Sequence, residues 1–327
     1  MPQCNYFLEA PLDDADVTSE ILERLDMYGV CILGSGIYRV SGLLMPEGST
    51  LSGMGAATKV LLSESVTDGF AIGMNSYTTV KDLSVIGSVT PILLPESVGT
   101  RHGILFRGTA TRKDWDGQPM HAILDGCRIS GFTGGGLTCV DTGYYIRASM
   151  TATNCHIVNC GAGINISHFS EYHEFTNMLC SENLYGCINN GGNNVFVNCG
   201  FNANETGFVI DNSDGNAWNN SHGSVVGCTF NHSGNNKGIG ILIVGANSGY
   251  VFTGCQDFYS KIIVKDSERI QFHSMNFGKG TEISLSGGKP VFFANCLFHS
   301  APLLTITDGA TVRFSECYTR DGNAVTA

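Results

Sequence analysis

One short pattern returns along most of this 327-residue chain: an apolar residue, two others, then Cys, Met or Leu, one more residue and a second apolar one. It falls at Val80/Leu83/Val85, Leu124/Cys127/Ile129, Ala152/Cys155/Ile157, Phe175/Met178/Cys180, Phe196/Cys199/Phe201, Val225/Cys228/Phe230, Phe252/Cys255, Phe272/Met275/Phe277, Phe293/Cys296/Phe298 and Phe314/Cys317. From Cys127 onward the central residue recurs every 20 to 29 residues. A period of that size marks a solenoid, in which each repeat buries its apolar face only by stacking on its neighbours. It is too short for βαβ units.

The residue just before the central one is Asp82, Gly126, Asn154, Asn177, Asn198, Gly227, Gly254, Ser274, Asn295 or Glu316. All but Ser274 and Glu316 belong to the types that tolerate a left-handed backbone. A sharp bend between two strands needs that conformation, and stacked copies can bond side chain to side chain as an Asn ladder. A further strand follows in each coil after a turn: Ile164 to Ile166, Phe208 to Ile210, Ile241 to Val244, Ile262 to Val264, Ile283 to Leu285 and Leu304 to Ile306. These runs are mostly β-branched and lie at coil spacing, as in-register parallel strands require. The expected fold is all-β, a right-handed parallel β-helix.

Seven cysteines hold the central register, which stacks them inside the coil at the ~4.8 Å strand spacing. Parallel Cβ vectors at that spacing lie too far apart for an ordinary disulfide, so the expectation is a reduced, apolar ladder. No C-x-x-C spacing supports a zinc site. Ahead of the coils, Asp16 can cap a helix carrying Val17, Ile21 and Leu25, widened by Leu22, which would cover the open end of the stack. The expected organisation is one domain over 1–327, with a capping segment over about 12–35 and coils over 36–327.

Composition removes several functions. The formal net charge of -11 leaves no basic stripe, so nucleic acid is not an expected partner. No apolar run is long enough to span a bilayer, so no membrane is expected either. Residues 1–11 show neither a basic n-region nor an apolar h-region, and the 13 cysteines are an odd number. Both features point to a cytoplasmic or phage-associated protein without a signal peptide.

The run Gly36-Ile37-Tyr38-Arg39-Val40, followed by Leu43-Leu44-Met45-Pro46-Glu47-Gly48-Ser49-Thr50-Leu51-Ser52-Gly53-Met54-Gly55, resembles the opening coil of pectate-lyase-like β-helices. That superfamily includes polysaccharide lyases, glycoside hydrolases and phage tailspikes. Together with the coil repeats the resemblance covers nearly the whole chain. It implies a glycan ligand and side-by-side association as a homotrimer. It does not choose among the chemistries the superfamily hosts.

Connections that vary in length mark the functional edge of a regular scaffold. Four consecutive ones are rich in polar and aromatic residues: Asp141 to Met150, Ser167 to Glu174, Asn189 to Asn194 and Asp211 to Ser224. They supply Asp141, Tyr144, Tyr145, Arg147, His168, Tyr172, His173, Asn193, Trp218 and His222 as candidate substrate contacts, because a sugar wants aromatic platforms beside hydrogen-bonding groups. Glycoside hydrolysis also needs two carboxyl groups, and coils one or two steps apart set carboxylates at the required separation of roughly 5 to 9.5 Å. Glu171 or Glu174 with Asp211 or Asp214 is the expected catalytic set.

A lyase would call instead for a basic residue and, often, calcium; these connections contain no Lys, which ranks lysis below hydrolysis. No other cofactor is expected. Asn212-Ser213-Asp214 followed by His222-Gly223 is loosely similar to polygalacturonase signatures, without that family's paired aspartates or Arg-x-Lys. Asn204-Glu205-Thr206, Asn219-Asn220-Ser221 and Asn231-His232-Ser233 match glycosylation acceptors but read as turn residues, and Gly134-Gly135-Gly136 opens no helix to hold a phosphate. The expected function is that of a carbohydrate-active enzyme, with a non-catalytic glycan-binding spike as its rival.

Overall fold

Every coil begins with a strand of one 13-stranded parallel sheet. In the computed structural model, which describes residues 6–88, 97–107, 120–140, 148–213, 222–232, 238–258 and 261–326, this first sheet runs from Phe7–Leu8 to Val312–Ser315. The chain then bends and enters a second, 21-stranded sheet before crossing back. One coil shows the plan: Glu174–Thr176 in the first sheet, then Leu179–Ser181 and Tyr185–Asn189 in the second. Each of these pairs in parallel with its counterpart in the next coil, Asn194–Val197, Gly200–Asn202 and Thr206–Asp211. The six strands expected after the turns all lie inside observed ones. The short strand immediately after each bend makes the coil three-sided in most repeats.

The bend is left-handed at all ten repeat positions, with φ between 52° and 65°. Ser274 and Glu316 adopt it as fully as the asparagines, so the stack imposes the conformation where the side chain does not favour it. Part of an Asn ladder runs along these bends: Asn177 Nδ2 donates to Asn154 Oδ1 (3.3 Å), and Asn154 Nδ2 to Asp125 Oδ1 (2.9 Å). The hydrogen bonds from Thr153 Oγ1 and Asn154 Nδ2 hold the Asp125 carboxyl below its ordinary range.

A more complete ladder lies inside, at the next corner. Asn183 Oδ1 accepts from Cys160 N (2.9 Å), while Asn204 Oδ1 accepts from both Asn183 N (2.9 Å) and Asn183 Nδ2 (3.0 Å). Both side chains are fully buried. Asn204 is therefore a core residue, and its side-chain amide is inaccessible to glycosylation in the folded chain.

The core is built of side-chain files that run along the stack. Phe175 lies on Phe196 at 4.8 Å between ring centroids, Phe252 on Phe272 at 5.1 Å, and Phe272 on Phe293 at 4.7 Å. A second file holds Phe201 and Phe230, then Phe277 and Phe298. Between its halves the strand register sets Asp257, 0% exposed, where a phenylalanine would continue the file. A Cβ on Gly240 would come within 2.6 Å of Asp257 Oδ1, so the bare glycine makes room for that carboxyl group.

All seven cysteines of the central register are buried free thiols, as are the other described cysteines. Their sulfurs sit near the carbonyl two residues back, from 3.1 Å in Cys155 to 3.5 Å in Cys228 and Cys317. Burial pushes the Cys31 thiol up to about 11 and the Cys160 thiol up to about 12, whereas side-chain hydrogen bonds with Cys228 hold Cys199 and Cys255 below the ordinary thiol value. Burial therefore keeps the ladder from reagents by denying them access.

The helix spans Thr18–Tyr28 and buries Ile21 and Leu25. Asp16 Oδ1 accepts from Thr18 N (2.9 Å) but stands one place ahead of the N-cap, which is Val17. Gly29, at φ 69°, ends the helix with a bond to Leu25 O. The capping segment is shorter than the expected 12–35. Val30–Leu33 is already a strand of the first sheet, and Phe7–Leu8 pairs with Ile32 and Leu33 ahead of it. The three glycines 134–136 lie within the strand Arg128–Cys139, at a register shift, where a Cβ on Gly136 would meet Ile157 at 2.2 Å.

Two outcomes follow from this packing. Alkylating reagents should leave most thiols of the native protein unlabelled and label them after denaturation, and rapid native labelling of Cys199, Cys228 and Cys255 would contradict the coil register. Asn183→Ala should cost about 1–3 kcal/mol in a urea titration, because it strands the buried Cys160 amide and removes one of the two donors to Asn204 Oδ1.

Candidate functional site

Strand Ile166 ends one coil and Glu174 starts the next, and the connection between them carries Glu171. Two of its residues, Phe169 (φ 58°) and Tyr172 (φ 62°), take the left-handed conformation without being glycine. Strain of that kind persists where surrounding bonds enforce it. Here Tyr172 N donates to Gly192 O (3.3 Å) and His173 N to Asn194 Oδ1 (2.9 Å), both in the following connection. The Tyr172 ring is 51% exposed, while His168 is half-buried.

Glu171 is half-buried, and its Oε2 accepts from Asn193 Nδ2 (3.2 Å). Its other oxygen lies over Gly192, beside the His222 ring. A Cβ on that glycine would lie 3.0 Å from Glu171 Oε1, 2.6 Å from His222 Cε1 and 3.0 Å from His222 Nδ1. Three expected site residues, Glu171, Asn193 and His222, thus converge from three successive connections at Gly192, whose missing side chain lets Glu171 and His222 approach closely. The Gly191-Gly192 pair inside an Asn-rich connection was the sequence signal for it.

Asp211 ends the strand Thr206–Asp211 and is exposed. Its amide donates to Asn190 Oδ1 (3.0 Å), and its own Oδ1 accepts from Ser213 N (3.0 Å), which fixes the side chain in an Asx turn. Among the described residues it shares no hydrogen bond with Glu171. Glu174 is exposed on the outer face of the first sheet, beside Thr151 and Val195 in register, and so belongs to the sheet face and not to the space above Gly192. Asp141, Tyr144, Tyr145, Arg147, Asp214 and Trp218 lie outside the described residues.

His173 corrects the expectation that it contacts substrate. It is fully buried and points into the coil, edge-on to Phe106 at 5.7 Å. Met150 N donates to its Nδ1 (3.1 Å), so the proton must sit on Nε2, which donates to Ser170 Oγ (2.8 Å). Burial, helped by His121, pushes its pKa down to about 3.

This histidine begins a buried polar network that sequence reasoning missed. Asn194 Nδ2 bonds Ser170 O (3.3 Å) and Asn189 Oδ1 (2.9 Å), and Asn189 Nδ2 bonds the Tyr250 hydroxyl. All five side chains are buried beneath the connections that present Glu171, Asn193 and His222. A Cβ on Gly223 would lie 2.3 Å from Asn194 O and 3.1 Å from the Tyr250 hydroxyl, so close packing continues beneath His222. Satisfied networks of this kind hold a surface rigid. Among the described residues no group of three or more His, Cys, Asp or Glu side chains is arranged to hold a metal ion.

No protein-family model matches the chain, and no curated protein sequence matches it. Solved structures do match in fold. Tailspike protein 2 of the Escherichia coli O157:H7 bacteriophage CAB120 superposes with a TM-score of 0.61 at 14% identity over 93% of this chain. This chain spans 41% of that tailspike's length. The A-module of the Azotobacter vinelandii mannuronan C-5 epimerase AlgE6 gives 0.62 at 13% identity, covering 93% of this chain and 95% of the module. The catalytic unit of a GH87 α-1,3-glucanase from Streptomyces thermodiastaticus gives 0.57 at 16% identity, covering 93% and 67%. The chain has the right-handed parallel β-helix fold that these proteins share.

The buried histidine makes stability depend on pH. An unfolded His173 takes up a proton below about 6.5 whereas the folded one resists it until about 3, so the unfolded state binds more protons across that window. Stability should fall by up to a few kcal/mol as pH drops from 6.5 towards 3. His173→Phe should flatten that part of the urea-midpoint-versus-pH curve, whatever it costs at neutral pH.

Proposed function

We propose that this protein acts on an oligo- or polysaccharide at the surface above Gly192, and that the reaction is hydrolysis of a glycosidic bond. The observation that carries this reading is the convergence of Glu171, Asn193 and His222 on that glycine. The Asn193 amide occupies one oxygen of Glu171, which leaves the other for a ligand. In this reading Glu171 gives its proton to the leaving glycosidic oxygen, and His222 hydrogen-bonds a sugar hydroxyl. The exposed Tyr172 ring supplies an apolar surface for a sugar face.

Asp211 serves as the ionised partner. Its strand lies two steps from the one that ends at Ile166, since Ile166 pairs with Asn189 and Ile188 with Val209. Two steps offset the two connections by about 9.6 Å along the stack, the scale of separation that leaves room for an attacking water. A glycan ligand is also supported by the fold likeness to a glucanase catalytic unit, a mannuronan epimerase module and a tailspike. That likeness favours no one reaction among them.

A polysaccharide panel with product analysis tests the reading. Glu171→Gln and Asp211→Asn should each lower turnover by several orders of magnitude with the melting temperature unchanged, because the amide keeps the shape and loses the proton chemistry. Gly192→Ala should lower kcat/KM at least about tenfold, since its methyl group would enter the space between Glu171 and His222. Unchanged turnover in both carboxamide variants would sink the pair. Binding without turnover on any glycan would move the assignment to a non-catalytic, spike-like glycan-binding protein.

A further inference from the structure

The outer face of the first sheet carries a groove of about 390 Å³ in the last coils, lined by Gln271, His273, Phe292, Ala294, Arg313 and Ser315. Strand pairing sets Gln271, Phe292 and Arg313 side by side in one row and His273, Ala294 and Ser315 in the next. Alanine between two larger neighbours leaves the depression. Phe292 stands beside it, 37% exposed in the middle of its own row. His273 Nε2 donates to Gln271 Oε1 (2.9 Å), which leaves the amide NH2 of Gln271 as its remaining hydrogen-bonding end.

Arg313 gives the groove its chemical sense. Its guanidinium carbon lies over the Phe292 ring, 5.6 Å from the centroid. The ion pair among the described residues is Arg39 with Asp14, so here a ring and not a carboxylate holds the arginine. A guanidinium held in this way still offers N–H donors to a planar anion. In a chain of net charge -11, an exposed cation with an aromatic face beside it and amide, imidazole and hydroxyl groups in the next positions suits one kind of ligand. That ligand has an apolar ring face, hydroxyl groups and a carboxylate.

We propose that this groove is a second, non-catalytic glycan site selective for acidic sugars, with Arg313 on the carboxylate and Phe292 against the ring. It is separate from the site of the proposed reaction. From Glu174, where the chain leaves the connection of Glu171 for the sheet face, the row passes through Val195, Ser224, Val251 and Gln271 to Phe292, five strand steps or about 24 Å along the stack.

Affinity electrophoresis of the full chain tests it, with polygalacturonate as the acidic probe and dextran as the neutral one. Polygalacturonate should retard the protein, and the retardation should weaken as salt rises, since an exposed ion pair is screened. Arg313→Gln and Phe292→Ala should each raise the apparent Kd about tenfold or more with unchanged melting temperatures, while Glu171→Gln should bind as the parent does. Equal retardation by dextran, no retardation by polygalacturonate, or full retardation of both groove variants would overturn the proposal. Loss of binding in Glu171→Gln alone would also overturn it, by assigning the acidic polymer to the surface above Gly192.

Discussion

The left-handed bend that closes ten of the 13 strands of the first sheet is the constraint on which the rest of the molecule depends. It sends the chain round a corner in one residue, so that the apolar residues on both sides point to the same interior. Once a few coils have set that corner, backbone hydrogen bonds to the neighbouring strands require the next coil to turn at the same place. Ser274 and Glu316 show the strength of that requirement. Neither side chain favours the conformation, and both adopt it because the ladders on either side are already in register.

The same fixed register explains which features the sequence displayed. An inward file of Phe or Cys repeats at coil spacing, and repetition is visible without a structure. The polar network under the connections has no such signature. Asn189 and Asn194 look like any asparagines in a polar loop, yet the folded connection turns both inwards. His173 was misjudged for a related reason, since it stands between Tyr172 and Glu174 in a run of loop-like residues. Yet it is two positions before Phe175, and residues two apart on a strand share a face. Read backwards from that phenylalanine, the alternation already placed His173 inside.

The candidate site divides along similar lines. Its acidic and aromatic residues stood out because the connections carrying them are longer and more polar than those of the last coils. The meeting of Glu171 with His222 did not stand out, because it depends on how two connections fold over a third. Gly192 makes that meeting close by contributing no side chain. Glu174, three residues from Glu171, belongs to a different surface, which shows how little sequence proximity means at the point where a loop becomes a strand.

The burial of Asn204 bears on how the chain can be produced. Asn204-Glu205-Thr206 is an acceptor sequence for an N-linked sugar, and the enzyme that attaches such sugars works on chains that have not yet folded. In a eukaryotic secretory host the sequence would be open to modification before the coil closes. The modified amide could no longer enter the interior and accept from Asn183, so the turn would be held outside its corner. Glycosylation would then compete with folding coil by coil, and a bacterial cytoplasm, which lacks that machinery, avoids the conflict.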